Sequence, residues 1–311
     1  MLACNKYVCM NAGKNLTSDL PNFLLIGAQK SGTTSLFDIL KQHSRIYLHP
    51  KKELHFFDVD QDYEDGVNFY AAYFRDTGNA PAIGEATPIY LYLPHVPGRI
   101  KETLGSEIRL IAILRNPAER AFSQYKMMVN KGLEKRSMPE ALEANIERLQ
   151  SGFSQDIITT YLDRGFYSFQ IDNYFKAFPR ENIRIYLFEE DFLDNRNEMI
   201  RDIQDFLEVD YEDLATHVKS VPDAKVKSGY FDKVLNSPHP VNQFFKRVIP
   251  SEKMRAWLKY TMNNLNTKNT VRDTDWEGWR RRLIRDVFNE DIKKTEELIG
   301  RDLSGWYKDV V

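Results

Sequence analysis

Cysteine is nearly absent from this chain. The two present, Cys4 and Cys9, both fall within the first ten residues, so the body of the protein holds no pair from which a disulfide could be built. That usage fits a reducing compartment. Long apolar runs are missing as well: Lys6, Asn11 and Lys14 break the first twenty residues, which leaves no signal-peptide core, and no later stretch is long enough to span a bilayer. The expectation is a cytoplasmic protein with no membrane partner. Net charge is scarce too, at -2, which removes any global electrostatic reason to bind nucleic acid. The six histidines are scattered and none joins a cysteine at ligand spacing, so the sequence gives no support for a metal. No internal repeat or low-complexity tract divides the chain. Residues 1–20 read as a loosely ordered segment and 21–311 as a single domain.

What is present begins at Phe23-Leu24-Leu25-Ile26-Gly27-Ala28-Gln29-Lys30-Ser31-Gly32-Thr33-Thr34-Ser35, an apolar strand running through a glycine-bounded loop into a helix. This is the layout of a phosphate cradle. Small residues let the backbone approach a ligand, helix-start N–H groups point at an anion, and Lys30 with the hydroxyls of Ser31, Thr33 and Thr34 adds donors. Gly27 and Gly32 stand five positions apart, as in a nucleotide-binding P-loop, yet Thr33 occupies the place of that motif's lysine. The only lysine lies inside the loop. The alternative for the loop by itself is an ordinary strand-to-helix turn.

With 42% hydrophobic and 28% charged residues over 311 positions, the chain can bury the core of one large α/β domain. Ser35 to Gln42 reads as a helix, Gly66 to Phe74 as an aromatic-rich helix, Ala82 to Glu85 as a strand, and Ile108 to Leu114 as a buried parallel strand. Asn116-Pro117-Ala118-Glu119 then predicts a helix start, with Asn116 as N-cap, Pro117 in the first turn and Glu119 completing a capping-box pattern. Ser137-Met138-Pro139-Glu140 announces another helix, followed by a helix over Tyr167 to Phe178 and a strand over Ile183 to Phe188. The last third reads as helical, with Trp276, Trp279 and Trp306 as packing anchors. Alternating strands and helices predict a P-loop-like central parallel β-sheet covered by helices on both faces.

Two further groups carry chemistry. Arg115 sits where a buried strand emerges, and Ser123 follows Asn116 by two helical turns, so both can face one ligand. A cation at this strand end suits a phosphate bound directly, where a magnesium-dependent triphosphatase more often has an acidic residue. Equally, Arg115 can pair with a carboxylate and Ser123 can be a surface hydroxyl. Lys51-Lys52-Glu53-Leu54-His55-Phe56-Phe57-Asp58, if extended, places Glu53 and His55 on one side and Leu54 and Phe56 on the other. A carboxylate beside an imidazole can be a general base; the alternative is a loop with ordinary salt bridges to Lys51 and Lys52.

These segments resemble the sulfotransferases that use 3′-phosphoadenosine 5′-phosphosulfate (PAPS), above all the heparan sulfate branch and its bacterial natural-product relatives. The resemblance runs from Phe23 to about Asp191, and weakly to Tyr230. Gly27 to Thr34, Lys52 to Asp58, Gly84-Glu85-Ala86-Thr87-Pro88-Ile89-Tyr90 and Leu114 to Tyr125 carry it, in the family's order. It implies that Lys30, Ser31, Gly32, Thr33 and Thr34 hold the 5′-phosphosulfate, and Arg115 and Ser123 the 3′-phosphate. It further implies that Glu53 is the catalytic base with His55 and Asp58 in support. Lys225-Val226-Lys227-Ser228-Gly229-Tyr230 is similar to the family's later loop, which closes over the nucleotide through Lys227 and Gly229. The product would be 3′-phosphoadenosine 5′-phosphate (PAP), with no metal required.

One departure bears on the acceptor. Where glycan-modifying relatives carry a lysine that helps bind an acidic sugar chain, this chain has Ala86. A small metabolite or natural product with a hydroxyl or amine is the expected acceptor, a heparan-type glycan the alternative, and a P-loop kinase or a non-catalytic nucleotide-binding protein more distant ones. Phe56, Phe57, Phe69, Tyr70, Tyr73, Tyr90 and Tyr92 can line an acceptor pocket, although their spacing reads better as core.

Overall fold

The computed structural model describes residues 20–151, 160–216, 225–226, 267–268 and 275–308. The segment expected to be loose therefore lies outside the described residues, except Leu20, as does the Lys225–Tyr230 loop beyond Val226.

Five strands form the central sheet: β1 (Phe23–Gly27), β2 (Ile46–Leu48), β3 (Ala82–Ala86), β4 (Arg109–Leu114) and β5 (Ile183–Leu187). Their order is β2-β3-β1-β4-β5 and every neighbouring pair is parallel. The helices are α1 (Thr33–Leu40), α2 (Asp60–Glu64), α3 (Val67–Ala71), α4 (Val96–Leu104), α5 (Pro117–Asn130), α6 (Met138–Ser151), α7 (Tyr167–Ala177), α8 (Arg196–Phe206), α9 (Trp276–Arg282) and α10 (Asn289–Ile299). β6 (Lys225–Val226) and β7 (Thr267–Lys268) make a separate antiparallel pair.

Alternate residues of β1 and β4 fall into opposite cores, which is why these strands are apolar from end to end apart from Arg109 at the start of β4. Phe23, Leu25, Ile111 and Ile113 pack with Leu36 and Phe37 of α1 and Ile200 and Ile203 of α8. Leu24, Ile26, Leu110 and Ala112 pack with α4, α5 and α7, and with Leu283, Ile284 and Phe288, which follow α9. The chain leaves β1 toward β2 on one side and β4 toward β5 on the other. That reversal opens a crevice at the carboxyl ends of β1 and β4, where sheets of this kind bind ligands.

Differences from the sequence expectations are local. The helix expected from Ser35 begins at Thr33, because Gly32 takes the N-cap with φ 87°, a left-handed conformation that glycine tolerates. Gly66 to Phe74 divides into α3 and a tighter turn over Ala72–Phe74. Phe188 leaves the last strand and opens a π-helical turn, Phe188–Asp194. Asn116 caps α5 as expected, accepting from the Ala118 and Glu119 amides at 3.1 and 3.2 Å. Glu119 does not return the favour: Glu189 accepts the Asn116 N–H at 3.1 Å, so the reciprocal half of the box comes from another element. At α6 the box is local, with Ser137 N and Oγ both donating to Glu140.

Candidate active site

The cradle forms where β1 ends. No side chain caps α1 and no acidic residue stands in its first turn, so its leading amides and the positive end of its dipole face the crevice. Lys30 has φ 71°, and its carbonyl accepts from Arg115 Nη1 at 3.2 Å, which ties the end of β4 to the loop. Phe188 supports both: the Arg115 guanidinium lies 4.8 Å from its ring centroid, and a Cβ on Gly32 would come within 2.9 Å of its ring. Arg115 also pairs with Glu119 at 3.7 Å, as the simpler sequence reading had it. Its Nε is buried without a hydrogen bond, and Ser31 Oγ is buried without one of normal geometry beside the Tyr167 phenol. Buried donors left open on two sides of the loop fit an anionic ligand such as the PAPS phosphates.

The segment bearing Glu53 adjoins the cradle. It is not extended: Glu53 and His55 have φ 60° and 62°, in the left-handed region, and this irregular backbone produces the expected sidedness. Leu54 and Phe56 are buried, whereas the side chains of Glu53 and His55 are each 40% exposed. His55 Nδ1 meets Asp58 Oδ2 at 2.8 Å, and its Nε2 lies 3.7 Å from Glu53 Oε2, an ion-pair separation. The Asp58 contact, then Glu53, raises the His55 pKa to about 10 against the opposing effect of burial, so the ring is an imidazolium at neutral pH. His55 in turn holds the Glu53 carboxyl below its usual range, with burial working the other way and Lys52 and Lys131 assisting. Glu53 is therefore ionised and oriented.

Two left-handed residues separated only by Leu54 need outside support. Glu53 N donates to Ala86 O at 3.0 Å, and Phe57 N donates to the Tyr90 hydroxyl at 3.3 Å. Tyr90 donates on to Glu85 at 3.0 Å, joined there by Tyr70 at 2.9 Å and Thr87 at 2.7 Å. Glu85 is fully buried, and burial raises its pKa while these donors and the Leu54 amide lower it. The carboxylate is thus a hub that pins the Glu53 loop to the end of β3.

The fold thus joins Lys30 to Arg115 directly, and Thr34 to Glu53, His55 and Asp58 through Lys52, which donates to Thr34 Oγ1 and lies 4.0 Å from Glu53 Oε1. Ser123 is buried rather than a surface hydroxyl; it follows Phe122, which stacks on Trp276 at 4.1 Å. Lys227 and Gly229 lie outside the described residues. Lys52, Glu85 and Phe188 are contributors to which sequence reasoning gave no role in the site, although Lys52 and Glu85 stand inside its motifs. Of these only Glu85 carried a signal, an acidic residue inside an otherwise apolar strand. Phe56, Phe57, Tyr70 and Tyr90 are core, as their spacing suggested. Among the described residues no group of three His, Cys, Asp or Glu side chains could hold a metal ion, and no helix is long and apolar enough to cross a membrane.

Comparison with known proteins agrees with this architecture. A family model described as a sulfotransferase domain matches residues 20–273. The chain is 40% identical over 133 residues to the membrane-associated sulfotransferase kil1 of Dictyostelium discoideum, a match covering 42% of this chain and 27% of that one. It is 25% identical over 272 residues to heparan sulfate glucosamine 3-O-sulfotransferase 3A1 of Mus musculus, covering 84% and 66%. Such matches span from about a quarter to two thirds of those relatives' length. The crystal structure of a sulfotransferase from Alicyclobacillus acidocaldarius, 26% identical, superposes with a TM-score of 0.64 over 92% of this chain and 98% of that one. With its parallel sheet, its cradle after β1 and a family match over most of its length, the chain belongs to the sulfotransferase family.

Proposed function

We propose that this protein moves a sulfuryl group from PAPS to a hydroxyl or amine of a small metabolite or natural product. The observation that carries the reading is the joining of an uncapped, lysine-bearing anion cradle to an ionised Glu53 through Lys52. PAPS supplies an activated sulfuryl group on a stable leaving nucleotide. Lys30, Ser31, Gly32, Thr33 and Thr34 hold its 5′-phosphosulfate, and Arg115 and Ser123 its 3′-phosphate. Lys227 and Gly229 are proposed to close over the nucleotide.

Glu53 takes the proton from the acceptor as that oxygen or nitrogen attacks sulfur in line with the bond to phosphate. Lys30 and the first amides of α1 stabilise the charge growing on the bridging oxygen as that bond breaks. His55, held by Asp58, keeps Glu53 charged and aimed. Lysine, arginine and helix N-terminus together neutralise the leaving group without assigning any step to a metal.

Ala86, where glycan-modifying relatives carry a lysine, favours a small acceptor over a polyanionic chain. A heparan-type acceptor remains the second reading, favoured by the relatives named heparan sulfate glucosamine 3-O-sulfotransferase. A cytoplasmic site of action and a single domain over 21–311 belong to the same proposal. The test is incubation with labelled PAPS and panels of hydroxylated metabolites, amines and heparan oligosaccharides, reading by mass which acceptor gains a sulfuryl group. PAP binding by calorimetry in the absence of magnesium, far tighter than ATP binding, is the companion result; the reverse preference would exclude this donor.

A further inference from the structure

In sequence, Lys52 looks like one more solvated lysine beside Lys51. The structure separates the two. Lys51 is exposed, with its ammonium 5.3 Å from the Tyr73 ring centroid. Lys52 is folded inward, its side chain 21% exposed, and its ammonium is bracketed by two functional groups. On one side it donates to Thr34 Oγ1 in the first turn of α1. On the other it stands 4.0 Å from Glu53 Oε1. Burial lowers its pKa most; Glu53 and Asp38 raise it, and Lys30 lowers it, so the Lys30 charge is felt in the space between Thr34 and Glu53 that the Lys52 ammonium occupies.

That space has a definite content if the sulfuryl-transfer reading above holds, and the inference rests on it. The 5′-phosphate belongs at the amino end of α1 and the acceptor proton at Glu53. The group in transit must lie between them. During displacement the sulfur–oxygen bond to phosphate breaks, its electron pair stays on the bridging oxygen, the new bond to the acceptor forms, and the acceptor proton goes to Glu53. The three peripheral sulfuryl oxygens remain negative throughout, and they approach a carboxylate that is also negative. Uncompensated, that approach is repulsive.

We infer that Lys52 is a second catalytic lysine, holding the peripheral oxygens of the sulfuryl group and separating them from Glu53, while Lys30 serves the leaving phosphate. The position of the ammonium between Thr34 Oγ1 and Glu53 Oε1 makes this division of labour specific. A lysine directed at the phosphate alone would be indifferent to whether the nucleotide carries sulfate. Lys52 is not indifferent.

The test compares PAPS and PAP affinity by calorimetry, together with steady-state kinetics, for wild type, Lys52→Met, Lys52→Arg and Lys51→Met. Lys52→Met is expected to lose about tenfold in PAPS affinity while PAP affinity is retained, and to lose about 100-fold or more in kcat. Lys52→Arg should recover part of both losses. Lys51→Met should match wild type. Equal losses for PAPS and PAP would place Lys52 on the phosphate or in the fold and overturn the inference. So would PAPS affinity unchanged with only the acid limb of the pH profile displaced, which would make Lys52 a tuner of Glu53. A wild-type chain that binds neither nucleotide fails at an earlier step and removes the donor assignment itself, Lys52 with it.

Discussion

Glu53 and His55 set the pH behaviour expected of the site. His55 is raised to about 10, chiefly by Asp58, so its charged form is favoured in the folded protein. The stabilisation linked to it is complete below the unfolded value near 6.5 and is lost as pH rises through about 10. Glu53 is shifted the other way, so its contribution is present above the ordinary carboxylate range and is lost on acidification through its lowered value. The profile of kcat/KM should therefore be flat through neutrality and fall toward about pH 10 as the imidazolium is lost. Asp58→Asn removes the largest cause of the shift and should carry the alkaline limb to lower pH, with PAP affinity unchanged. An unmoved limb would show that His55 does not titrate in the reaction. Glu53→Ala should lower kcat by about 10²-fold to 10⁴-fold with PAP binding intact. Lys30, Glu53 and Arg115 were legible in the sequence because each stands in a run of unusual residue types. Lys52 stands in the same run as Glu53, but no role could be read for it, because a lysine beside a glutamate describes most protein surfaces equally well, and only the fold turns this one inward.

Between residue and fold, the Glu53 loop and the end of β3 behave as one unit. Three hydroxyls converge on a carboxylate with no solvent exposure to speak of, and all three come from outside the strand, Thr87 just past its end and Tyr70 and Tyr90 from other segments. Tyr70→Phe keeps the ring that stacks on Phe56 at 4.3 Å and deletes one donor. A buried carboxylate left one hydrogen bond short should cost about 1–3 kcal/mol, read as a lower midpoint in urea denaturation. Because the hub also restrains two left-handed residues, kcat should fall more than PAP affinity does. A variant as stable and as active as wild type would mean that the remaining donors suffice. Gly32→Ala belongs to the same scale. Its φ of 87° and the Phe188 ring 2.9 Å from the added Cβ both oppose the change, so stability should fall by about 1–3 kcal/mol, with PAP affinity reduced because the start of α1 shifts. Strand runs and capped helix starts were readable from pattern. Left-handed Glu53 and His55 were not, since neither is a residue whose identity announces that conformation.

At the scale of the whole molecule, the C-terminal helices are part of the site's foundation. Sequence pattern identified them as helical and their tryptophans as anchors, but periodicity says nothing of which distant element a helix braces. Asp291 supplies the answer. It stands on α10 and caps the start of α7, accepting the Tyr167 amide at 2.7 Å and the Ser168 hydroxyl at 2.5 Å. Tyr167 then donates its hydroxyl to the Arg115 carbonyl at 2.9 Å, so the cap and the strand end that meets the cradle are two links apart. Burial raises the Asp291 pKa, while Ser168, Tyr167 and Thr295 draw it back. For a carboxyl raised on folding, the charged form is disfavoured in the native state, and its net contribution weakens as pH rises through the shifted value. Asp291→Ala leaves the leading amides of α7 unpaired in a buried place and should cost about 1–3 kcal/mol in urea denaturation. Asp291→Asn keeps one acceptor without the buried charge and should cost less. The two variants thus separate loss of the cap from loss of the charge. PAP affinity decides whether the brace reaches the site: if Asp291→Ala weakens binding at temperatures where the chain remains folded, the link through Tyr167 to Arg115 is real. If stability falls while affinity holds, α10 steadies α7 alone, and the crevice is positioned by the sheet without help from the C-terminal helices.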